Sequence, residues 1–201
     1  QDLREGMKLA DQAVDLDPKS DYGHVMRGGF LAISGRHGDA KDAFDVTERL
    51  NPNSVVLCLV RGVAEMLKAE PNSDVMEAVA LDALRLSPND PQAYTFHNLL
   101  GSVQLIRNSS RHNEASLEAF EMACRYPNAS EMVLVNAAAA CVELDRLDDA
   151  AHYLERAMSK APKLTAAVLL KQWEFFPWWG ESRDVVERLL ESLIELGLPE
   201  E

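Results

Sequence analysis

Positive charge is the first thing this chain lacks. It carries 20 Lys and Arg against 33 Asp and Glu, a formal net charge of −13, with no Lys/Arg cluster to offset it. Nonspecific nucleic-acid binding needs a basic surface, and so does docking on an anionic membrane. Neither a nucleic acid nor a membrane is therefore expected as a partner; a protein, a peptide or a small molecule is. Cysteine is scarce as well. Cys58, Cys124 and Cys141 are odd in number and never at CxxC spacing, which argues against a disulfide framework and a cysteine-only metal site. They sit in apolar stretches and read as small buried hydrophobes of a protein in the reducing cytoplasm. No apolar run approaches the roughly 20 residues that cross a bilayer. Aromatic residues make up 6% of the chain.

Recognisable chemistry is missing too. Gly28-Gly29 is not followed by the glycine and lysine of a phosphate loop, and neither HExxH nor an acidic calcium loop occurs. Asp145, Asp148 and Asp149 flank a turn and a helix start, where negative charge is favourable without any catalytic role. His24 and His97 read as packing residues, and His37 and His112 as solvated turn residues. The sequence predicts no catalytic residue, no metal ligand and no cofactor, so the fragment is not expected to be an enzyme in itself. Its first residue is Gln1, inside a helical pattern. We expect a fragment whose upstream part, an adenylate or guanylate cyclase among the options, carries the parent protein's principal activity.

What is present is a period. Asp17-Pro18, Asn51-Pro52, Ser87-Pro88, Tyr126-Pro127 and Ala161-Pro162 place prolines 34, 36, 39 and 35 residues apart. A polar residue follows each by two or three positions: Ser20, Ser54, Asp90, Ser130 and Thr165. Proline ends a helix and a short polar side chain starts the next, and this period marks stacked helix pairs. Apolar residues between the prolines recur at three- and four-residue steps. They predict a half repeat over 1–17, repeats over 18–52, 53–88, 89–127 and 128–162, and a divergent capping repeat over 163–201. The expected fold is all-α, about eleven helices and essentially no sheet, in one superhelical domain. A longer turn, Arg107 to Asn113, is expected to account for the period of 39.

These features resemble the tetratricopeptide repeat family. A unit opening at Asp21 places the family's small residues and proline on Gly28, Ala40, Thr47 and Pro52; one opening at Glu131 places them on Ala138, Ala150, Ala157 and Pro162. The unit opening at Tyr94 supplies Gly101, Ala115, Met122 and Pro127, while the unit holding Gly62 and Ala83 matches less well. The aromatic usual at the fourth position is replaced by His24, His97 and Leu134. The resemblance implies an α-solenoid that binds a protein or peptide. A narrower resemblance covers Trp173-Glu174-Phe175-Phe176-Pro177, Glu187 to Leu193, and Gly197 to Glu200. That segment is similar to the end of bacterial repeat regions attached to class III adenylate cyclases or winged-helix regulators. It implies a regulatory module in bacterial signal transduction.

In this fold class the first helix of each unit lines the concave side. The expected binding residues are therefore Tyr22, Val25, Asn98, Ser102, Met132, Val135 and Asn136, with the two amides suited to a peptide backbone. Trp173, Phe176, Trp178 and Trp179 are expected to form either a cap over the last repeat or a homodimer interface. Two alternatives to peptide binding follow: a homodimerisation module for an upstream domain, and a small-molecule sensor with an aromatic pocket near Tyr22, Tyr94 or Trp173.

Overall fold

The computed structural model describes residues 2–107, 109–173 and 183–201. Eleven helices and no strand occur among them. The chain divides into two compact units, Gln1–Pro88 and Asn89–Glu201, and the division falls on one of the five proline punctuations. Unit 1 holds α1 (Asp2–Leu16), α2 (Asp21–Ile33), α3 (His37–Leu50), α4 (Val55–Met66) and α5 (Ser73–Leu86). Unit 2 holds α6 (Ala93–Arg107), α7 (Ser110–Cys124), α8 (Glu131–Glu143), α9 (Leu147–Lys160), α10 (Ala166–Trp173) and α11 (Arg183–Glu195).

The polar residues after the prolines do what their spacing predicts at three of five sites. Ser20 Oγ accepts from Gly23 N at 3.1 Å, Ser54 Oγ from Leu57 N at 3.2 Å and Thr165 Oγ1 from Val168 N at 3.2 Å. Each satisfies a donor that the first helical turn leaves without a partner. At α10 two more such donors are met from afar: Ala166 N donates to Pro199 O at 2.8 Å, and Ala167 N to Glu200 O at 3.2 Å. The last residues thus fold back over the start of α10.

Within a pair, the helices meet at a small residue. A Cβ on Gly28 would lie 2.4 Å from Phe44 Cε1, and one on Gly101 would lie 2.5 Å from Phe120 Cε1. Both rings are buried, so each glycine is required by the ring that crosses it rather than by backbone conformation. Ser116, fully buried on α7, donates to Gly101 O at 2.9 Å and holds the same crossing together.

Two turns are alike in conformation but not in residue. After α2, Gly35 has φ +75° and Arg36 N reaches back to Leu31 O at 2.9 Å. After α8, Asp145 has φ +57° and Arg146 N reaches back to Cys141 O at 2.9 Å. Each left-handed residue ends its helix and satisfies a terminal carbonyl. Arg36 then pairs with Asp39 at 2.6 Å, and Arg146 with Asp149 at 2.7 Å.

The expected long turn over Arg107 to Asn113 is corrected. Helix α7 already begins at Ser110, and α6 and α7 are 15 residues each against 13 and 14 for α8 and α9. The added residues of the 39-residue period wind into helix, because nothing in Ser110-Arg111-His112-Asn113 breaks one. His112 accordingly sits half-buried in the first turn of α7, its Nδ1 2.7 Å from Ser109 Oγ.

The main core of unit 2 runs from Leu117 and Phe120 through the alanines of α8 to Leu154, Leu169, Trp173, Leu193 and Leu198. Ala137 to Ala140 are all buried, and their small side chains let α9 pack closely with the methyl groups of Ala150 and Ala157. Arg188 of α11 pairs with Glu143 at 2.7 Å, tying the last helix to α8.

Candidate functional site

Helices α6 and α8 open consecutive repeats of unit 2, and both carry an asparagine partway along. Asn136 Nδ2 donates to Asn98 Oδ1 at 3.0 Å, and both residues are half-buried. One amide–amide bond leaves one amide nitrogen, that of Asn98, and one carbonyl oxygen, that of Asn136. Neither has a protein partner among the described residues. An NH₂ beside a C=O on one surface is the complement of a peptide unit, which offers one acceptor and one donor. Both groups are uncharged, so the pair suits a neutral hydrogen-bonding group better than an ionic one.

The surroundings hold this pair in place. One turn after Asn98, Ser102 Oγ donates to Asn98 O at 3.0 Å, so its hydroxyl is committed to the helix. Met132 is half-buried and packs on the main core. His97, next to Asn98, is half-buried with its ring centroid 6.1 Å from that of Tyr126. Burial pushes the His97 pKa down, favouring the neutral ring.

The remaining expected residues fall elsewhere. Val25 and Val135 are 0% exposed. They are core residues and present nothing to a ligand, because a one-residue step turns a helical side chain by about 100°. Tyr22 is 60% exposed and does not line the cavity of unit 1 described below. Trp173 is 5% exposed, inside the main core of unit 2. Phe176, Trp178 and Trp179 lie outside the described residues. His24 is buried, with Nε2 3.0 Å from Pro18 O, and serves packing. Among the described residues no group of three or more His, Cys, Asp or Glu could hold a metal ion. Nor is any helix among them long and apolar enough to cross a membrane.

Unit 1 contains a feature that the sequence did not single out. A cavity of about 270 Å³ opens between α2 and α4, lined only by apolar residues that include Met26, Gly29, Ile33, Val60, Val63 and Leu67. Tyr22 is absent from it. The signal was available in α4, which is apolar nearly all round: among its twelve residues only Arg61 and Glu65 are charged. Such a helix is expected to be buried on every side, yet Val63 is 41% exposed.

No protein-family model matches the chain, and no curated protein matches it. Solved structures do. Against pilF of Pseudomonas aeruginosa the TM-score is 0.71 at 16% identity, covering 98% of this chain and 85% of that one. Against YrrB, a TPR protein with an unusual peptide-binding site, it is 0.62 at 13% identity, covering 94% and 92%. Against a tetratricopeptide repeat protein of Parabacteroides merdae it is 0.62 at 13% identity, covering 96% of this chain and 65% of that one. At these identities the likeness concerns fold alone. The paired helices, the small-residue crossings and these neighbours agree: the chain has the tetratricopeptide repeat fold.

Proposed function

We propose that this chain is a protein-interaction module that holds an extended peptide segment of a partner, with Asn98 and Asn136 gripping one peptide unit. The observation that carries the reading is the 3.0 Å amide–amide bond, which joins two half-buried side chains and leaves one donor group and one acceptor group of the pair without a protein partner among the described residues. The fold of the neighbours is consistent with it, and YrrB is itself a protein with a peptide-binding site. The finer setting is a non-catalytic regulatory part of a larger bacterial signalling protein in the cytoplasm. It is supported by the resemblance of residues 173–177, 187–193 and 197–200 to repeat regions beside cyclases or winged-helix domains. The three free cysteines fit a reducing compartment.

The test is panning of a displayed peptide library on the intact chain, followed by affinity measurement for the enriched peptides. A buried hydrogen bond of this kind is worth about 1–3 kcal/mol when its partner is left unsatisfied. Asn136→Ala should therefore weaken the enriched peptides about tenfold or more, while the urea midpoint falls only by the loss of the single bond to Asn98. Peptides that bind Asn136→Ala as tightly as wild type would remove the site from this pair.

A further inference from the structure

We propose that residues 197–201 form a latch: α10 is folded only while this tail is docked, and release of the tail unwinds α10 and uncovers Leu169 and Trp173 at the end of the unit 2 core. The latch lies within unit 2 and is independent of the amide pair. Three observations carry it. First, α10 is weak by itself. It has eight residues, and an isolated helix shorter than about 12–15 residues is marginal in water. Only Ala166, Leu169 and Trp173 of it are buried, while Ala167, Val168, Leu170, Lys171 and Gln172 are exposed. Its persistence depends on what it is fastened to.

Second, the start of α10 is fastened to the tail. Ala166 N donates to Pro199 O at 2.8 Å and Ala167 N to Glu200 O at 3.2 Å, each bond spanning 33 positions. Outside the helix interiors, every other backbone bond among the described residues joins groups no more than five positions apart. Leu198, the residue before Pro199, is 2% exposed and belongs to the same core as Leu169 and Trp173. These contacts support one another. A seated Leu198 brings the next two carbonyls to α10, and a folded α10 returns Leu169 and Trp173 to the core that seats Leu198. Groups linked in this way open together rather than singly.

Third, the tail can leave without α11. Gly197 follows α11 at φ +109°, and a Cβ there would meet nothing within 4 Å beyond its chain neighbours. Conformation rather than packing calls for glycine at this point, and glycine reaches other conformations at little cost. Rotation at this one residue separates the docked tail from a released one. The bond to α11 that release breaks is Leu198 N to Leu193 O, at 3.0 Å. Helix α11 keeps its own hold on α8 through the Arg188–Glu143 pair. Beyond Leu198 only the exposed Pro199, Glu200 and Glu201 have to be drawn away.

The experiment is residue-resolved amide hydrogen exchange by NMR on the intact chain. In the wild type, the amides of Ala166, Ala167 and Leu169 to Trp173 should share one opening constant, about tenfold or more larger than that of Ala137 to Cys141 in α8. Leu198→Ala should raise that shared constant by a common factor of about thirty or more. The common factor is the diagnostic part, because Leu170 to Trp173 make no bond to the tail. Trypsin cleavage after Lys171, which needs an unwound helix, should accelerate by the same factor. Gly197→Ala, strained at φ +109° yet touching no packed atom, should raise it by a smaller common factor of about five. That variant carries the test if Leu198→Ala does not fold. Acceleration confined to Ala166 and Ala167 would overturn the proposal, since the tail would then be a passive cap on two donors. So would α10 amides that exchange as slowly as those of α8 in the wild type, since α10 would then have no opening of its own.

Discussion

The α2–α3 pair of unit 1 and the α8–α9 pair of unit 2 solve one packing problem with different residues. In unit 1, Gly28 lies under the ring of Phe44. In the α8–α9 pair of unit 2, the same two register positions hold Ala138 and Leu154, both fully buried. A methyl is gained on one helix and an aromatic ring is exchanged for a smaller side chain on the other. The need for a small residue is thus set by what crosses it, not by the helix that contains it. The surfaces diverge further. The α2–α4 face of unit 1 is an apolar cavity, whereas the α6–α8 face of unit 2 carries two hydrogen-bonding amides.

The largest expected effect tests that exchange inside unit 2. Gly101→Ala would set a Cβ 2.5 Å from a ring with no exposed surface, and overpacking of this kind costs about 1–3 kcal/mol. Adding Phe120→Leu should recover most of the loss, because it reproduces the alanine–leucine crossing of α8 and α9. Urea midpoints of the two single variants and the double variant measure this. Losses that simply add would break the equivalence of the two crossings.

A smaller effect of opposite sign sharpens the comparison of the two matched turns. A left-handed residue other than glycine costs roughly 1–2 kcal/mol. Gly35→Ala, at φ +75°, should lower the thermal midpoint, and Asp145→Gly, at φ +57°, should raise it. Matching signs at both positions would show that the side chain of Asp145 does more than occupy the turn.

The smallest effect is a difference in alkali sensitivity. In unit 2, burial pushes the Cys141 thiol up to about 11, and burial together with the nearby Glu121 carboxylate pushes the Tyr153 hydroxyl up to about 12. The fold favours the protonated form of both, so their contribution is intact below about pH 9. It is lost as pH rises to about 12, because the unfolded chain releases these protons first. The urea midpoint should therefore fall over that range, and Tyr153→Phe with Cys141→Ala should flatten the decline. Among the described residues of unit 1, the Cys58 thiol alone is raised in the same way, again chiefly by burial. An equal flattening from Cys58→Ala would erase the distinction between the units.

Much of this architecture was legible because proline and short polar residues act locally. Asp17-Pro18 and Ser20 suffice to end one helix and begin another. The boundary at Ser110 was not legible, since a run without a breaker can be loop or helix until tertiary packing decides. Asn98 and Asn136 could be named from their place on the first helices of two repeats, but their bond to each other was not legible, since it depends on how α6 and α8 pack. Val25 and Val135 were misplaced because a side chain one step away on a helix faces in a different direction. The cavity was hidden for another reason. Val60 and Val63 read as core, and a gap between two well-formed apolar faces leaves no mark in either sequence.

The folded-back tail has a mechanical consequence. Pro199 O and Glu200 O hold the first two amides of α10, while Leu198 is sunk in the main core. A force applied at the carboxyl end therefore meets two hydrogen bonds and an anchored leucine before it reaches α11. Those contacts act as a strain relief, like a cable clamped ahead of its connector. Once they part, the start of α10 loses its acceptors, so tension at one end of the chain is felt at a helix some thirty residues earlier.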